Sequence, residues 1–302
     1  MRVVVPATAA NLGPGFDSLG LALALFNTVQ VAAVGPDSCP DAVHTVEGEG
    51  APTLPRGPDN LVRRSMAAVA ARAGVELPAV AVRQVNAIPL ARGLGSSSAA
   101  IVGGCVAANE VLGRPLSQDD LLAIAVEIEG HPDNVAPALL GGLTVCYAAG
   151  EGARCLRLEP LDPPRAVVAV PDYEVETEKA RQALPPSVPR RDAVLNVGRA
   201  AALVGAFATG RYDLLRAAMD DRLHQPYRAH LVPGMDEAIA AALDAGALGA
   251  CLSGSGPTVL AFAAAQEDAI AEAMKQALAA LGVTAATRVL DVCLQGATVT
   301  YL

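Results

Sequence analysis

"PLARGLGSSSAAIVGG", residues 89–104, runs from a proline through Gly93 and Gly95 into three consecutive serines and then into small apolar residues. Glycines ahead of a helix let the backbone approach a ligand closely. A helix beginning at the serines leaves its first N–H groups without intrahelical partners, and with the positive end of the helix dipole they attract an anion. Hydroxyls in that first turn add donors or a Mg²⁺ ligand. No lysine follows the second glycine, so this is not a Walker A loop, and the glycine spacing is not that of a dinucleotide-binding fold. Read alone, the segment is equally an ordinary serine-capped helix after a glycine turn.

Around it the pattern predicts a strand at 2–7, a loop from Asn11 to Gly20, and a long apolar strand at 21–34. Asn60 caps a helix over 61–73 that Gly74 ends, and 80–87 alternates as a half-buried strand. The helix that follows the serines ends near Gly113, and Ser117 with Asp120 opens another that runs to Glu129 and stops at Gly130. "PLDPP", 160–164, is the most linker-like stretch and divides the chain into 1–160 and 161–302. Beyond it come a strand at 166–170, helices near 177–184, 193–209, 213–220 and 235–245, and a strand, glycine turn and strand in "CLSGSGPTVLAF", 251–262. A helix at 266–281 and two short strands close the chain. Strands and helices in irregular order indicate an α+β fold rather than a doubly wound sheet.

With 302 residues, 52% hydrophobic and only 3% aromatic with no Trp, the cores must be built from Val, Leu, Ile and Ala. A net charge of −9 excludes nucleic acid and anionic membrane surfaces as partners and leaves a small molecule. The six cysteines form no C-x-x-C pair and no metal-ligand spacing with histidine, which predicts reduced, mostly buried thiols in a cytoplasmic protein. Residues 1–13 lack the apolar core of a signal peptide, and no apolar run reaches the roughly 18 to 20 residues that span a bilayer. Lys179 and Lys275 are the only lysines.

Four further segments carry polar side chains able to meet a ligand. "ATAANLGPGFD", 7–17, presents Asn11 and Asp17 from a loop, where both can also serve as Asx turns. "EIEGHPDN", 127–134, holds Glu127, Glu129, His131, Asp133 and Asn134. Helical residues two apart point about 200° away from each other, so only one of the two glutamates faces a given site. No second histidine lies near, which argues against Zn²⁺ but leaves a hard cation such as Mg²⁺ open. "TEKARQAL" sets Thr177 and Arg181 on one helix face, and "HQPYRAHL" supplies Arg228. The glycine turn in "CLSGSGPTVLAF" is either a tight hairpin or a place where backbone amides meet a phosphate.

Three glycine- and serine-rich segments in this order resemble the superfamily of small-molecule kinases named for galactokinase, homoserine kinase, mevalonate kinase and phosphomevalonate kinase. Residues 89–100 are similar to its P-x-x-x-G-L-G-S-S-A-A motif with one extra serine, and "HPDNVAPALLGG" and "LHQPYRAHLVPG" resemble its homoserine-phosphorylating branch. The resemblance covers essentially the whole chain. It implies an N-terminal domain with a left-handed βαβ unit, a ferredoxin-like C-terminal domain, and a site between them. ATP would lie on Pro89, Leu90, Ala91, Arg92, Gly93, Leu94, Gly95, Ser96, Ser97, Ser98 and Ala99, with Mg²⁺ held by Ser97 and Glu127. L-homoserine would meet Asn11, Asp17, Asn134, Arg181 and Arg228, with Asp17, Asn134 and Thr177 nearest the reacting hydroxyl. The implied reaction makes O-phospho-L-homoserine for threonine synthesis, in a cytoplasmic protein that can form a homodimer. The lysine paired with an aspartate in mevalonate kinases would sit in the first motif, and its lack there separates this chain from that branch. Another kinase of the superfamily, of mevalonate or shikimate type, and a non-catalytic nucleotide-binding paralogue are the alternatives.

Overall fold

The computed structural model describes residues 1–34, 44–150 and 152–302. Its strands are β1 (Arg2–Ala10), β2 (Leu19–Ala33), β3 (His44–Gly48), β4 (Val80–Asn86), β5 (Leu143–Ala149), β6 (Gly152–Leu158), β7 (Arg165–Pro171), β8 (Gly249–Leu252), β9 (Val259–Ala263), β10 (Ala285–Leu290) and β11 (Thr298–Thr300). Its α-helices are α1 (Leu61–Ala73), α2 (Ser96–Val111), α3 (Gln118–Glu129), α4 (Pro132–Leu140), α5 (Thr177–Gln182), α6 (Arg190–Thr209), α7 (Leu215–Ala218), α8 (Gln225–Arg228), α9 (Met235–Asp244) and α10 (Glu267–Ala279). Beyond the sequence expectations stand β3, α4, the β5–β6 hairpin and the short α8. Pro132 stands in the first turn of α4, where its fixed φ fits and its missing N–H costs no hydrogen bond, so "HPDN" starts a helix as well as ending one.

Seven strands form the first sheet in the order β11-β1-β2-β4-β3, with β5 on β2 and β6 on β5. The length of β2 lets its first residues pair β5 and its last pair β4. β3 and β4 run parallel with α1 between them, a βαβ unit in an otherwise antiparallel sheet. The second sheet, β10-β7-β9-β8, is antiparallel throughout, the order expected of a ferredoxin-like βαββαβ unit. The mixed α+β architecture read from the sequence is the one observed. The chain after residue 160 is not confined to the second sheet, because β11 returns to pair β1.

Small residues set the packing. Thirteen of the sixteen residues of α2 are buried, and at Gly104 a Cβ would come within 2.5 Å of the Val62 carbonyl oxygen of α1. The alanine and glycine content of α2 therefore lets two helices and a sheet approach closely. β7 alternates across its sheet: Ala166 and Val168 join a core shared with the first sheet, while Val167 and Ala169 pack under α9 and α10. Cys105, Cys146 and Cys251 are buried free thiols, Cys155 and Cys293 are half-buried ones, and Cys39 lies outside the described residues. No helix among the described residues is long and apolar enough to cross a membrane.

With so few aromatics, one cluster carries much of the shared core: Phe207 of α6 meets Tyr212 and Phe262 edge-on, each with ring centroids 5.4 Å away. Phe207→Ala is expected to lower unfolding free energy by about 3–5 kcal/mol. The exposed control Val197→Ala, on the same helix, should change it by less than about 0.5 kcal/mol. Urea unfolding midpoints of the two variants check this.

Candidate active site

A cleft of about 480 Å³ opens where the N-terminal loops meet α5, α8 and the β8–β9 turn. Its floor is the start of α2. Gly95 caps that helix in a left-handed conformation (φ 70°), with no side chain accepting the first N–H groups. A Cβ at Gly95 would lie 1.9 Å from Thr8 Oγ1, so only glycine fits this approach. The result is a helix N-terminus with unfilled donors facing a cleft and no acidic residue in the first turn, a place built for an anion.

Of the eleven residues expected on the nucleotide, Leu90, Ala91, Arg92, Gly93, Gly95, Ser96 and Ser97 line the cleft. Leu94 and Ala99 are fully buried in the core, and neither they nor Pro89 and Ser98 line it, whereas Ala100 does. Ser96 Oγ donates to the Ile88 carbonyl (3.1 Å), so this hydroxyl holds the loop in shape. Arg92 ties the loop to the second sheet, donating to the Pro171 (2.9 Å) and Asp172 (2.8 Å) carbonyls.

Of the two glutamates, the structure turns Glu129 to the cleft and not Glu127, the one expected on a metal. Glu127 points away from the cleft and is 63% exposed in an ion pair with Arg72 (2.7 Å). Glu129, two residues on and therefore on the opposite side of α3, accepts hydrogen bonds from Ser97 Oγ (2.6 Å) and Ser98 Oγ (2.8 Å) and lines the cleft. One carboxylate with two hydroxyls is a hard-oxygen donor set. Among the described residues no group of three or more His, Cys, Asp or Glu side chains could hold a metal, so a cation here would complete its shell with phosphate oxygens and water. The donors fit Mg²⁺ in that manner.

At the other end of the cleft the structure brings Asn11, Asp17, Arg181 and Arg228 together. Asn11 and Asp17 adopt positive φ (68° and 54°), a conformation their short polar side chains tolerate. Asn11 braces its own loop rather than making an Asx turn, its Oδ1 accepting from the amide of Asp17 six residues on (3.0 Å), and its Nδ2 donates to the Gly254 carbonyl (2.9 Å). Arg181 forks onto Asp17 at 2.9 and 2.7 Å, so the two groups expected on opposite ends of a substrate grip each other. Arg228 is 2% exposed, donates to the Ala180 and Gly254 carbonyls, and lies over the Phe16 ring at 5.2 Å. Burial and the positive charge of Arg181 push its pKa down to about 10, which leaves it a cation at neutral pH.

Thr8 Oγ1 donates to Asn134 Oδ1 (2.8 Å), fixing Asn134 at the cleft wall, and Thr177 Oγ1 lies 3.4 Å from Ser255 Oγ. Beside Asn134, His131 Nδ1 is 2.7 Å from a buried Asp133 carboxylate oxygen, and both residues line the cleft. Burial pushes the His131 pKa down, but the hydrogen bond and charge of Asp133, with the charge of Glu129, outweigh it and hold the pKa above 6.5. The sequence reading considered His131 and Asp133 only as metal ligands. It missed Phe16 and His224 entirely, the former for want of any polar signal and the latter because its partners lie on distant loops.

His224 is fully buried, stacked on Phe16 with ring centroids 5.4 Å apart. Burial pushes its pKa below 6.5; Asp221 opposes that and Arg228 adds to it. A histidine whose native pKa is depressed contributes no penalty above the unfolded value of 6.5 and costs stability as pH falls from 6.5 toward the native pKa, because only the unfolded chain takes the proton. His224→Asn should therefore lose less stability than the unsubstituted chain between pH values above and below 6.5, measured as the shift of the urea midpoint.

Residues 60–142 match the family model for the GHMP kinases N terminal domain, and residues 203–280 match that for GHMP kinases C terminal. The homoserine kinase of Moorella thermoacetica is 48% identical over 98% of this chain and 99% of its own, and that of Desulfitobacterium hafniense 49% over 99% of each. The crystal structure of homoserine kinase from Cytophaga hutchinsonii superposes with a TM-score of 0.89 at 32% identity, covering 99% of this chain and 96% of that one. The chain belongs to the GHMP kinases, and within them to the homoserine kinase family.

Proposed function

We propose that this chain transfers the γ-phosphoryl group of ATP to the side-chain hydroxyl of L-homoserine, giving O-phospho-L-homoserine for threonine synthesis. The observation that carries this reading is that one cleft joins a helix N-terminus with a carboxylate and the Ser97 hydroxyl to a pocket holding a carboxylate and two guanidinium groups. The first half complements polyphosphate with a hard cation, the second an amino acid with its ammonium and carboxylate.

The residues divide the work as follows. The N–H groups at the start of α2, with Gly93, Gly95, Ser96 and Ser97, hold the phosphates. Glu129 with Ser97 would hold Mg²⁺, with the buried Ser98 hydroxyl bracing Glu129, and the cation would supply charge neutralisation at the transferring phosphoryl group. Arg228 and Arg181 bind the substrate carboxylate, and Asp17 faces the ammonium and hydroxyl, already fixed by its fork with Arg181. Asn11, Asn134 and Thr177 set the direction of the remaining polar atoms. Phosphoryl transfer to an alcohol depends mainly on in-line positioning and charge stabilisation, so Asp17 need only accept the hydroxyl hydrogen bond and direct its oxygen. A cytoplasmic location, a homodimer and a two-domain division near residue 160 belong to the same reading.

ADP release should require both homoserine and Mg²⁺; equal rates with mevalonate, galactose or shikimate would refute the assignment. Glu129→Gln is expected to lower kcat about a hundredfold or more, with Glu127→Gln close to the unsubstituted enzyme. The reverse order would return the metal to Glu127. Arg181→Ala should raise KM for homoserine about tenfold or more while KM for ATP stays within about twofold; equal effects on both would remove Arg181 from the substrate pocket.

A further inference from the structure

Arg228 is a buried cation whose hydrogen bonds are almost all made to uncharged acceptors. Its Nε donates to the Ala180 carbonyl (3.1 Å), and its Nη1 donates to the Gly254 carbonyl (3.2 Å) and to His224 Nδ1 (3.2 Å). Those three bonds use the Nε hydrogen and both Nη1 hydrogens. Nη2 has no acceptor among the described residues, and the side chain lines the cleft.

The histidine has one protonation state compatible with this arrangement. A guanidinium only donates, so His224 Nδ1 must carry a lone pair. The other nitrogen, Nε2, lies 2.8 Å from the Gly13 carbonyl oxygen, which only accepts, so Nε2 must carry the hydrogen. His224 is thus held as the neutral Nε2–H tautomer between a loop of the first sheet and the guanidinium. Its place is fixed in turn by the buried Asp221, which accepts from the backbone amides of Leu223 (2.9 Å), His224 (2.9 Å) and Gln225 (2.7 Å) and from Asn196 Nδ2 (2.7 Å).

We infer that His224 is a positioning residue for carboxylate recognition: as the neutral Nε2–H tautomer it accepts from Arg228 Nη1 and so turns the Nη2 edge of the guanidinium into the cleft. This rests on the reading of Arg228 as a carboxylate-binding residue of an amino-acid kinase. An imidazole acceptor, unlike a carboxylate at the same place, leaves the guanidinium charge unneutralised and available to an anionic ligand. Without it the Nη1 hydrogen is left buried and unpaired, and the plane can rotate about the remaining contacts.

Two substitutions separate the nitrogens of the ring. His224→Asn keeps an oxygen acceptor near the Nδ1 position, whereas His224→Gln keeps an amide donor near Nε2 and loses the acceptor. The expected result is that His224→Gln raises KM for homoserine at least about tenfold, that His224→Asn changes it by less than about threefold, and that KM for ATP is unchanged in both. Selectivity for homoserine over 3-amino-1-propanol, which lacks the carboxylate, should collapse in His224→Gln and persist in His224→Asn. Equal losses in the two variants, or retained selectivity in His224→Gln, would overturn the inference. Nitrogen NMR of the histidines in the unsubstituted protein gives an independent answer should a variant not fold: a buried ring in the Nε2–H form supports it, and an Nδ1–H form or an imidazolium overturns it. If the unsubstituted enzyme shows no homoserine-dependent ADP release, the functional reading itself fails, a result distinct from the two variants behaving alike.

Discussion

The backbone of one residue, Gly254, ties the arginine-lined end of the cleft together. The Gly254 amide donates to the Ala10 carbonyl at the end of β1, and the Gly254 carbonyl accepts both from Asn11 Nδ2 and from Arg228 Nη1. Segments more than two hundred residues apart thus meet at hydrogen-bond distance. The neighbouring Ser253 hydroxyl donates to the Gly93 carbonyl at 2.6 Å, which joins the same turn to the phosphate loop. Backbone polar groups buried at such a junction must be paired, and each pairing fixes one loop against another. The glycine turn of residues 251–262 is therefore not merely a hairpin: it holds the first and second motifs in register.

Charge placement follows from that junction. Asp17 and Arg181 satisfy each other in a two-bond fork, each about one-third exposed, so their charges neutralise locally. Arg228 is held by carbonyl and imidazole groups and keeps its charge in a dry wall. The cleft thus has a neutral pair beside a cation whose hydrogen bonds go to no carboxylate among the described residues. A ligand with one negative group beyond its reacting end complements that pattern better than a neutral polyol does, which physically distinguishes this pocket from one for a neutral sugar on the same fold.

What the sequence made legible divides along the length scale of each interaction. Local signals were read well: Asn60 and Ser117 cap their helices by the side-chain hydrogen bonds expected of them, and Gly74 and Gly130 end those helices in the left-handed conformation. The α+β class and the convergence of Asn11, Asp17, Arg181 and Arg228 also followed, though the last came through resemblance to a kinase family rather than through spacing. Helical periodicity shows that only one of Glu127 and Glu129 faces a site but gives no absolute phase, and in the structure it is Glu129 and not the expected Glu127 that faces the cleft. That phase is set by how α3 packs on α1 and α2, where Arg72 of α1 takes Glu127 and the serines of α2 take Glu129. His224 was illegible for the same reason in stronger form, since each of its ring contacts but one comes from outside its own helix.

The two ends of the cleft rest on unequal support. The phosphate end begins a helix that is buried along most of its length, braced by β1 through the bond from the Thr8 amide to the Leu94 carbonyl. It cannot shift without breaking a close-packed core. The other end depends on α5, six residues long with only Ala180 buried, joined to the rest by the Arg181 fork, by the bond from Arg228 Nε to the Ala180 carbonyl, and by the bonds from the Val175 amide to the Ala91 carbonyl and from Arg92 to the Pro171 and Asp172 carbonyls. Because Arg92 stands inside the phosphate loop, the segment bearing Thr177 and Arg181 is referenced to the rigid end rather than to the surface. Alignment of an acceptor hydroxyl with a phosphate thus rests on a short set of hydrogen bonds that run from the loop of residues 91–92 and from Arg228 to the α5 segment, a short path for a geometry that the chemistry requires to be held closely.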